Sequence, residues 1–181
     1  MYDEKLVTAF ATAFKNSVNA LKKEHDEKFY YFAFIFDEGM YPYISAWSYE
    51  AYERSIVDDE VAEADRGWWK WDYADSPYCA YGYDEYFAEA GKLLGERTEN
   101  MSEDELYDVE WYVRMDSMEE ALKRLGSEGF FGTGKDREQI IVNVEQAPPD
   151  CKEHERALRL NPPSALLDEY LENCETEEDE D

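Results

Sequence analysis

Apolar residues follow a helical spacing at the start of the chain and then form an unbroken run. Within residues 3–23 they recur every three or four positions, from Leu6 through Phe10 to Leu21, which predicts an amphipathic helix. The run from Phe29 to Phe36 is rich in aromatic residues and precedes turn residues, so it predicts a strand. Because this run has no polar face, we expect it at the centre of a sheet, buried on both sides.

Two further strands are expected around this central one. Residues 40–47 predict a second strand, and Pro42 assigns it to an edge or a bulge because proline has no N–H to donate. Ser48 is a suitable cap for a helix over 49–64. The segment 139–145 predicts the third strand.

The middle of the chain is the most aromatic part. Trp69, Trp71 and Tyr73 alternate within 67–78, which favours a short strand or an extended segment. Further helices are predicted over 84–94, 102–115, 117–126, 151–160 and 163–173.

Two capping boxes, Ser102 with Glu105 and Ser117 with Glu120, predict a break near Asp116. The order of elements predicts an α+β fold, a single domain over 1–173 with several helices on a small, mainly antiparallel sheet of three to five strands. Residues 174–181 are expected to form a disordered acidic tail.

The charge of the chain restricts its partners. Its 181 residues include 18 Lys and Arg against 45 Asp and Glu, which gives a net charge of −27. Binding to nucleic-acid phosphates and electrostatic binding to an anionic membrane both require clustered basic residues. The charge of the chain therefore excludes both. The chain is nevertheless 16% aromatic, which indicates a folded protein rather than a disordered one.

Compartment signals are few. No signal peptide is recognisable at the N-terminus, and the longest apolar run is much shorter than the roughly 20 residues that span a bilayer. The three cysteines have long, unrelated spacings, which argues against a disulfide framework or a metal site. We therefore expect a cytoplasmic protein with free thiols.

Motif chemistry nominates no catalytic, cofactor or metal residue. Residues 129–135 match the first seven positions of a phosphate-binding loop, but Asp136 replaces the required Ser or Thr, and the segment is expected to follow a helix rather than a strand. The simpler interpretation is a tight connection that inserts Phe130 and Phe131 into the core. His25 and His154 lack neighbours that suggest a triad or metal site.

The acidic residues suggest a surface for a basic protein. Residues 50–65 carry seven acids and one arginine, and such a surface speeds encounter with a basic partner. The adjacent aromatic segment could supply buried anchors. The candidate partner-binding residues are Asp58, Asp59, Glu60, Glu63, Trp68, Trp69, Trp71 and Tyr73.

Three segments carry a family resemblance. Residues 28–39, 125–144 with their Gly-Phe-Phe-Gly turn and Arg137-Glu138, and the closing 159–162 together resemble the bacterial family called domain of unknown function 4303. The resemblance implies no enzymatic activity and no catalytic residue. It implies a small cytoplasmic protein whose relatives look like immunity proteins encoded beside toxin genes.

Charge and resemblance together favour a non-enzymatic binding protein, an immunity protein that neutralises a basic toxin domain. Two alternatives stay open. A DNA-mimic inhibitor would compete broadly with DNA for unrelated proteins. An enzyme using carboxylates in an aromatic cleft would need a deep pocket that holds a carboxylate with a raised pKa.

Overall fold

Helices surround a three-stranded sheet in this computed structural model, which describes residues 1–37, 39, 41–150 and 152–174. The strands are β1 (Phe29–Asp37), β2 (Tyr43–Ser48) and β3 (Ile141–Ala147). The helices are α1 (Glu4–Glu24), α2 (Tyr49–Asp58), α3 (Arg66–Trp69), α4 (Tyr83–Tyr86), α5 (Ala88–Thr98), α6 (Glu103–Glu105), α7 (Trp111–Ser127), α8 (Glu153–Leu160) and α9 (Ala165–Asn173). Within the described ranges, no helix is both long and apolar enough to cross a membrane.

The sheet has the order β2-β1-β3, so the apolar run does form the central strand. β1 pairs antiparallel with β2, where Ala33 lies opposite Ser45, and parallel with β3, where Ala33 lies opposite Asn143. The α+β fold with a small sheet is confirmed, and β2 is an edge strand. The sheet is mixed rather than mainly antiparallel, because the chain returns from β2 to β3 through a long helical crossover that permits parallel pairing.

One face of the sheet is covered by α1 and α7. Asp3 caps α1 by accepting hydrogen bonds from the backbone N–H groups of Lys5 (2.8 Å) and Leu6 (3.1 Å). Phe10 meets the Phe34 ring of β1 edge-on at 5.8 Å between centroids. Burying each such side chain contributes roughly 1.5–3 kcal/mol, so this face supplies much of the hydrophobic stabilisation.

The opposite face is polar in part. Trp71 lies perpendicular to Tyr31 of β1 at 5.6 Å and to Tyr170 of α9 at 5.2 Å between ring centroids. Side chains alternate along a strand, so Asn143 and Glu145 of β3 share a face while Val142 and Val144 point away. All of these side chains are buried, which places a carboxyl group inside the protein.

The tryptophan segment begins in a helix and continues in turns and bends, so the predicted short strand or extended segment over 67–78 is wrong. Residues 66–69 form α3, and the turn continues with a hydrogen bond from Trp71 N to Trp68 O (2.9 Å). The alternating tryptophans do not reflect a strand, because their side chains contact different elements. Trp69 donates through Nε1 to Ser55 Oγ of α2 (2.9 Å), whereas Trp71 packs on the sheet.

The break expected near Asp116 is also wrong, because α7 runs through it without interruption. Ser117 is buried inside that helix and donates to the carbonyl of Val113 (2.6 Å), so it is not a cap. The irregularity lies earlier, in a π-helical turn at Leu106–Glu110, directly after the Ser102 capping box, which is present as predicted.

Other helix limits differ by a few residues. α2 ends at Asp58, and a short 3-10 turn follows at Glu63–Asp65. The expected helix over 84–94 is divided into α4 and α5. Cys174 packs against the core, and the rest of the predicted acidic tail lies outside the described residues. The predicted first residue of the second strand, Met40, and that of the helix over 151–160, Cys151, also lie outside them.

The glycine-rich connection has a structural role. It follows α7 and leads through a 3-10 turn at Gly134–Gln139 into β3, the reverse of a phosphate-binding loop. Gly132 adopts a φ of +94°, where residues with a Cβ are strained. Phe131 is buried against Phe14 with ring centroids 6.0 Å apart, and Phe130 is partly buried beside it.

Candidate functional site

Four exposed acidic residues form a patch at the end of α2 and in the turn that follows. This acidic patch consists of Asp58, Asp59, Glu60 and Glu63. Within the described part of the chain, none of the four takes part in an ion pair, and nearby Arg54 is held by Glu27 (N–O 2.8 Å). The patch therefore presents four carboxylates to solvent.

The four candidate aromatic residues separate into different environments. Trp68 is 37% exposed and lies edge-on to Trp69 at 5.5 Å between ring centroids. Trp69 and Tyr73 are half-buried, and Trp71 is buried. Trp68 is thus the most exposed of the four, and it lies only a few residues from the acidic patch.

Trp68, Trp71 and Tyr73 also line a cavity of about 280 Å³. We call it the carboxylate pocket, because two buried glutamates from β3 and α8 reach it. Its walls are formed by Trp68, Trp71, Asp72, Tyr73, Ala74, Glu145, Pro149, Glu153, Asn173 and Cys174. The pocket therefore joins part of the predicted aromatic set to acidic residues that the sequence reasoning did not select.

Glu145 is the more deeply buried of the two acids. Its Oε1 accepts hydrogen bonds from the hydroxyls of Tyr31 and Tyr170, the latter at 2.9 Å. Asn143 Nδ2 in turn donates to the Tyr170 hydroxyl at 2.8 Å. Burial raises the pKa of Glu145 to about 6, and the two tyrosine hydrogen bonds oppose that rise by stabilising the carboxylate.

Glu153 lies at the start of α8 and is 3% exposed. Its Oε1 accepts from the backbone N–H of Gln146 (3.2 Å) and lies 4.0 Å from Arg156 Nη2. That guanidinium is engaged mainly by Asp150, at 2.6 and 3.1 Å. Burial and the negative charge of Glu145 raise the pKa of Glu153 to about 9, so this carboxyl holds a proton at neutral pH.

Other reactive groups near the pocket are poorly suited to catalysis. Burial raises the pKa of the Cys174 thiol, which keeps it in the unreactive protonated form. His154 contacts the Cys174 carbonyl (3.2 Å), and the ring of His25 lies tilted against that of Tyr78, with the centroids 4.7 Å apart. Among the described residues, no group of three or more His, Cys, Asp or Glu side chains could hold a metal ion. The pocket can exchange a proton or hold a positive charge.

The sequence contained one signal for this pocket. Asn143 and Glu145 are polar residues at alternating positions in an otherwise apolar strand, which places both on one face of the sheet. Glu153 carries no such signal, because its helix begins after a proline turn and its neighbours include other acids.

The motif residues of the family resemblance contact one another away from this pocket. Arg137 donates to the carbonyl of Leu160 (2.8 Å) and to Asn161 Oδ1 (2.9 Å). Asn161 in turn bonds both backbone groups of Val142 on β3, at 2.9 and 2.8 Å. These residues fix the end of α8 against the sheet, so their role is structural.

The features together define a small α+β protein with a mixed sheet, an acidic surface and a pocket that buries two carboxyl groups. The chain belongs to the family described as Domain of unknown function (DUF4303), whose model matches residues 10–162. Comparison with curated proteins and with solved structures gives no match.

Proposed function

We propose that this chain is a non-enzymatic binding protein for a basic protein partner. The particular form we propose is a bacterial immunity protein that neutralises a basic toxin domain by covering it in the cytoplasm. The observation that carries the proposal is the acidic patch, four exposed carboxylates that form no ion pair with any described residue and lie close in sequence to the exposed Trp68. The family resemblance stated above supports the same function.

The two features have different physical roles in such a complex. Exposed carboxylates attract a basic surface over about a Debye length and mainly raise the association rate. A large aromatic side chain that becomes buried supplies affinity and slows dissociation. A mutational test can therefore separate the roles through the two rate constants.

The test uses the full chain and the purified product of the neighbouring toxin-like gene. The patch variant combines Asp58→Asn, Asp59→Asn, Glu60→Gln and Glu63→Gln. A matched control neutralises four other exposed acids through Glu99→Gln, Glu103→Gln, Asp104→Asn and Asp108→Asn. Both variants have the same net charge, so only the position of the lost charge differs.

We expect the patch variant to associate roughly tenfold more slowly at low salt, and the control to stay near the wild-type rate. Trp68→Ala should raise the dissociation rate, whereas Tyr107→Ala, at another exposed aromatic residue, should not. Equal losses in patch and control variants would reject the patch as the interface. Absence of any complex at low salt would reject the proposed function, and broad competition with DNA would favour the DNA mimic.

A second candidate is a carboxylate-dependent hydrolase, and the carboxylate pocket favours it. General acid catalysis at neutral pH requires a carboxyl group that keeps its proton, while a general base must be ionised. Glu153, with its pKa raised to about 9, suits the first role, and Glu145, with its pKa raised to about 6, suits the second. Aromatic walls such as Trp68 are typical of sugar-binding clefts.

This candidate is tested with a panel of glycosides across a range of pH. A hydrolase should give a bell-shaped rate profile that Glu145→Gln and Glu153→Gln each lower by about a hundredfold or more. Glu155→Gln, on the exposed side of the same helix, should leave the profile unchanged. If the wild-type chain hydrolyses the glycosides no faster than the two pocket variants do, this reaction is excluded.

A further inference from the structure

Among the described residues that line the carboxylate pocket, three are acidic and none is basic. Asp72, Glu145 and Glu153 all line it. Two cations of neighbouring segments are already engaged: Arg156 by Asp150 at 2.6 Å, and Lys70 by Glu169 at 2.5 Å. An anion would be repelled by the ionised acids of the pocket, whereas a cation would be attracted to them and would favour ionisation of Glu153 as well.

One wall residue of the pocket, Trp71, has a hydrogen-bond donor without an acceptor. Trp71 is 2% exposed, and its indole Nε1 has no partner among the described residues. A buried donor left unpaired destabilises the folded chain, so a ligand that offers an acceptor gains affinity by pairing with it. This second observation is independent of the acidic residues.

The shape and walls of the cavity restrict the ligand further. A volume of about 280 Å³ lies at the small end of ligand pockets and suits one compact group. Trp68, Trp71 and Tyr73 provide aromatic surface, on which an organic cation is stabilised by the ring electrons. The described residues offer no metal-ligand cluster, so the positive group would be organic.

We propose that the carboxylate pocket binds an organic cation, an ammonium or guanidinium group that carries a hydrogen-bond acceptor close to its charge. The cation lies between the carboxyl groups of Glu145 and Glu153 and the aromatic walls, and the acceptor takes the hydrogen bond from Trp71. Two sources offer this chemistry: the side chain and peptide carbonyl of a basic residue in another protein, or a free amino sugar. The inference holds whether or not the acidic patch binds a partner.

Binding of a cation should be linked to proton release. A positive charge beside Glu145 and Glu153 favours their ionised forms, so affinity should increase with pH. The groups that face these acids are Tyr31 of β1, Tyr170 of α9, Cys174 directly after α9, Arg156 of α8, Asn143 of β3, Asp150 between β3 and α8, and Asp72 in the turn after α3. Of the two glutamates, Glu153 keeps its proton to the higher pH, so it should supply the released proton.

The test is isothermal titration calorimetry of the full chain with N-acetyl-arginine methylamide and, separately, with glucosamine. For the arginine derivative, whose guanidinium keeps its charge over this range, we expect saturable binding of one molecule, tighter by several-fold at about pH 8 than at about pH 6.5, with proton release detected from buffers of different ionisation heat. Glu153→Gln should weaken binding roughly tenfold and remove the proton release, whereas Glu155→Gln should do neither. Trp68→Ala should weaken binding without changing the proton release.

The two probes separate the sources, and neutral analogues test the chemistry. Stronger binding of the arginine derivative supports a protein side chain as the natural ligand, and stronger binding of glucosamine supports a free amino sugar. Equal binding of the neutral citrulline derivative or of glucose would overturn the proposal. Lack of saturable binding by both cationic probes would overturn it as well.

Discussion

The buried proton on Glu153 makes the stability of this protein depend on pH in an unusual direction. Burial and Glu145 raise its pKa from the ordinary 4.5 to about 9, so folding takes up a proton wherever the unfolded chain has released it. The free energy of unfolding should therefore fall as pH rises from about 4.5 towards about 9. Acids whose pKa is lowered in the folded state contribute the opposite slope, but only at low pH.

The expected size follows from proton linkage. One proton bound only in the folded state changes stability by about 1.4 kcal/mol per pH unit, or about 2 kcal/mol between about pH 6.5 and pH 8. The pKa of Glu145 is raised only to about 6, so most of its contribution lies below this window. Cysteine and tyrosine groups ionise mainly above it.

The assay is urea unfolding followed by tryptophan fluorescence at several pH values and fixed ionic strength. Glu153→Gln removes the titrating group and keeps an oxygen for the Gln146 N–H. Its free energy of unfolding, relative to that of wild type, should therefore increase as pH rises. The control Glu155→Gln should track wild type, because that side chain is exposed. A difference between Glu153→Gln and wild type that stays constant across the window would refute the assignment of a buried proton.

Three further predictions concern the surface charge and the packing. The melting temperature should rise from low to moderate salt, because screening weakens repulsion among acids such as those of the patch; a flat or falling value would show local compensation. Asn161→Ala should cost about 2–4 kcal/mol in urea unfolding by leaving backbone groups of β3 unpaired, whereas exposed Asn19→Ala should have little effect. Phe131→Ala should cost about 3–5 kcal/mol by opening a cavity, and Phe130→Ala measurably less, since that ring is only partly buried; similar costs would contradict the packing described.

Local patterns in the sequence predicted an element correctly where its structure depends on its own residues alone. The apolar spacing predicted α1 to within one residue at each end, and the unbroken apolar run predicted the central strand β1. The same reasoning failed for Ser117, whose capping pattern is real in sequence but whose hydroxyl is buried inside a continuous helix. It also failed for Trp69 and Trp71. Their alternate spacing is typical of a strand, but one side chain contacts α2 and the other packs on the sheet.

The site was only partly predictable for a related reason. Composition treats every carboxylate alike, so net charge indicated a binding surface only at the exposed acids of 50–65. Glu145 and Glu153 differ from those acids by burial, which depends on the turn between β3 and α8 and on the aromatic side chains packed over the sheet. Neither the spacing of the two residues nor their chemistry reveals that environment.

The two kinds of acid respond to different variables, and this separates the proposed functions. Attraction through the exposed patch weakens with salt, because its charges interact through water. Glu145 and Glu153 are screened far less by salt, but their protonation makes a cation in the pocket sensitive to pH. A partner held by the patch alone should bind with a steep salt dependence that is the same at about pH 6.5 and pH 8. A partner that also inserts a basic side chain into the pocket should bind more tightly at the higher pH, and Glu153→Gln should remove that gain while leaving the salt dependence in place.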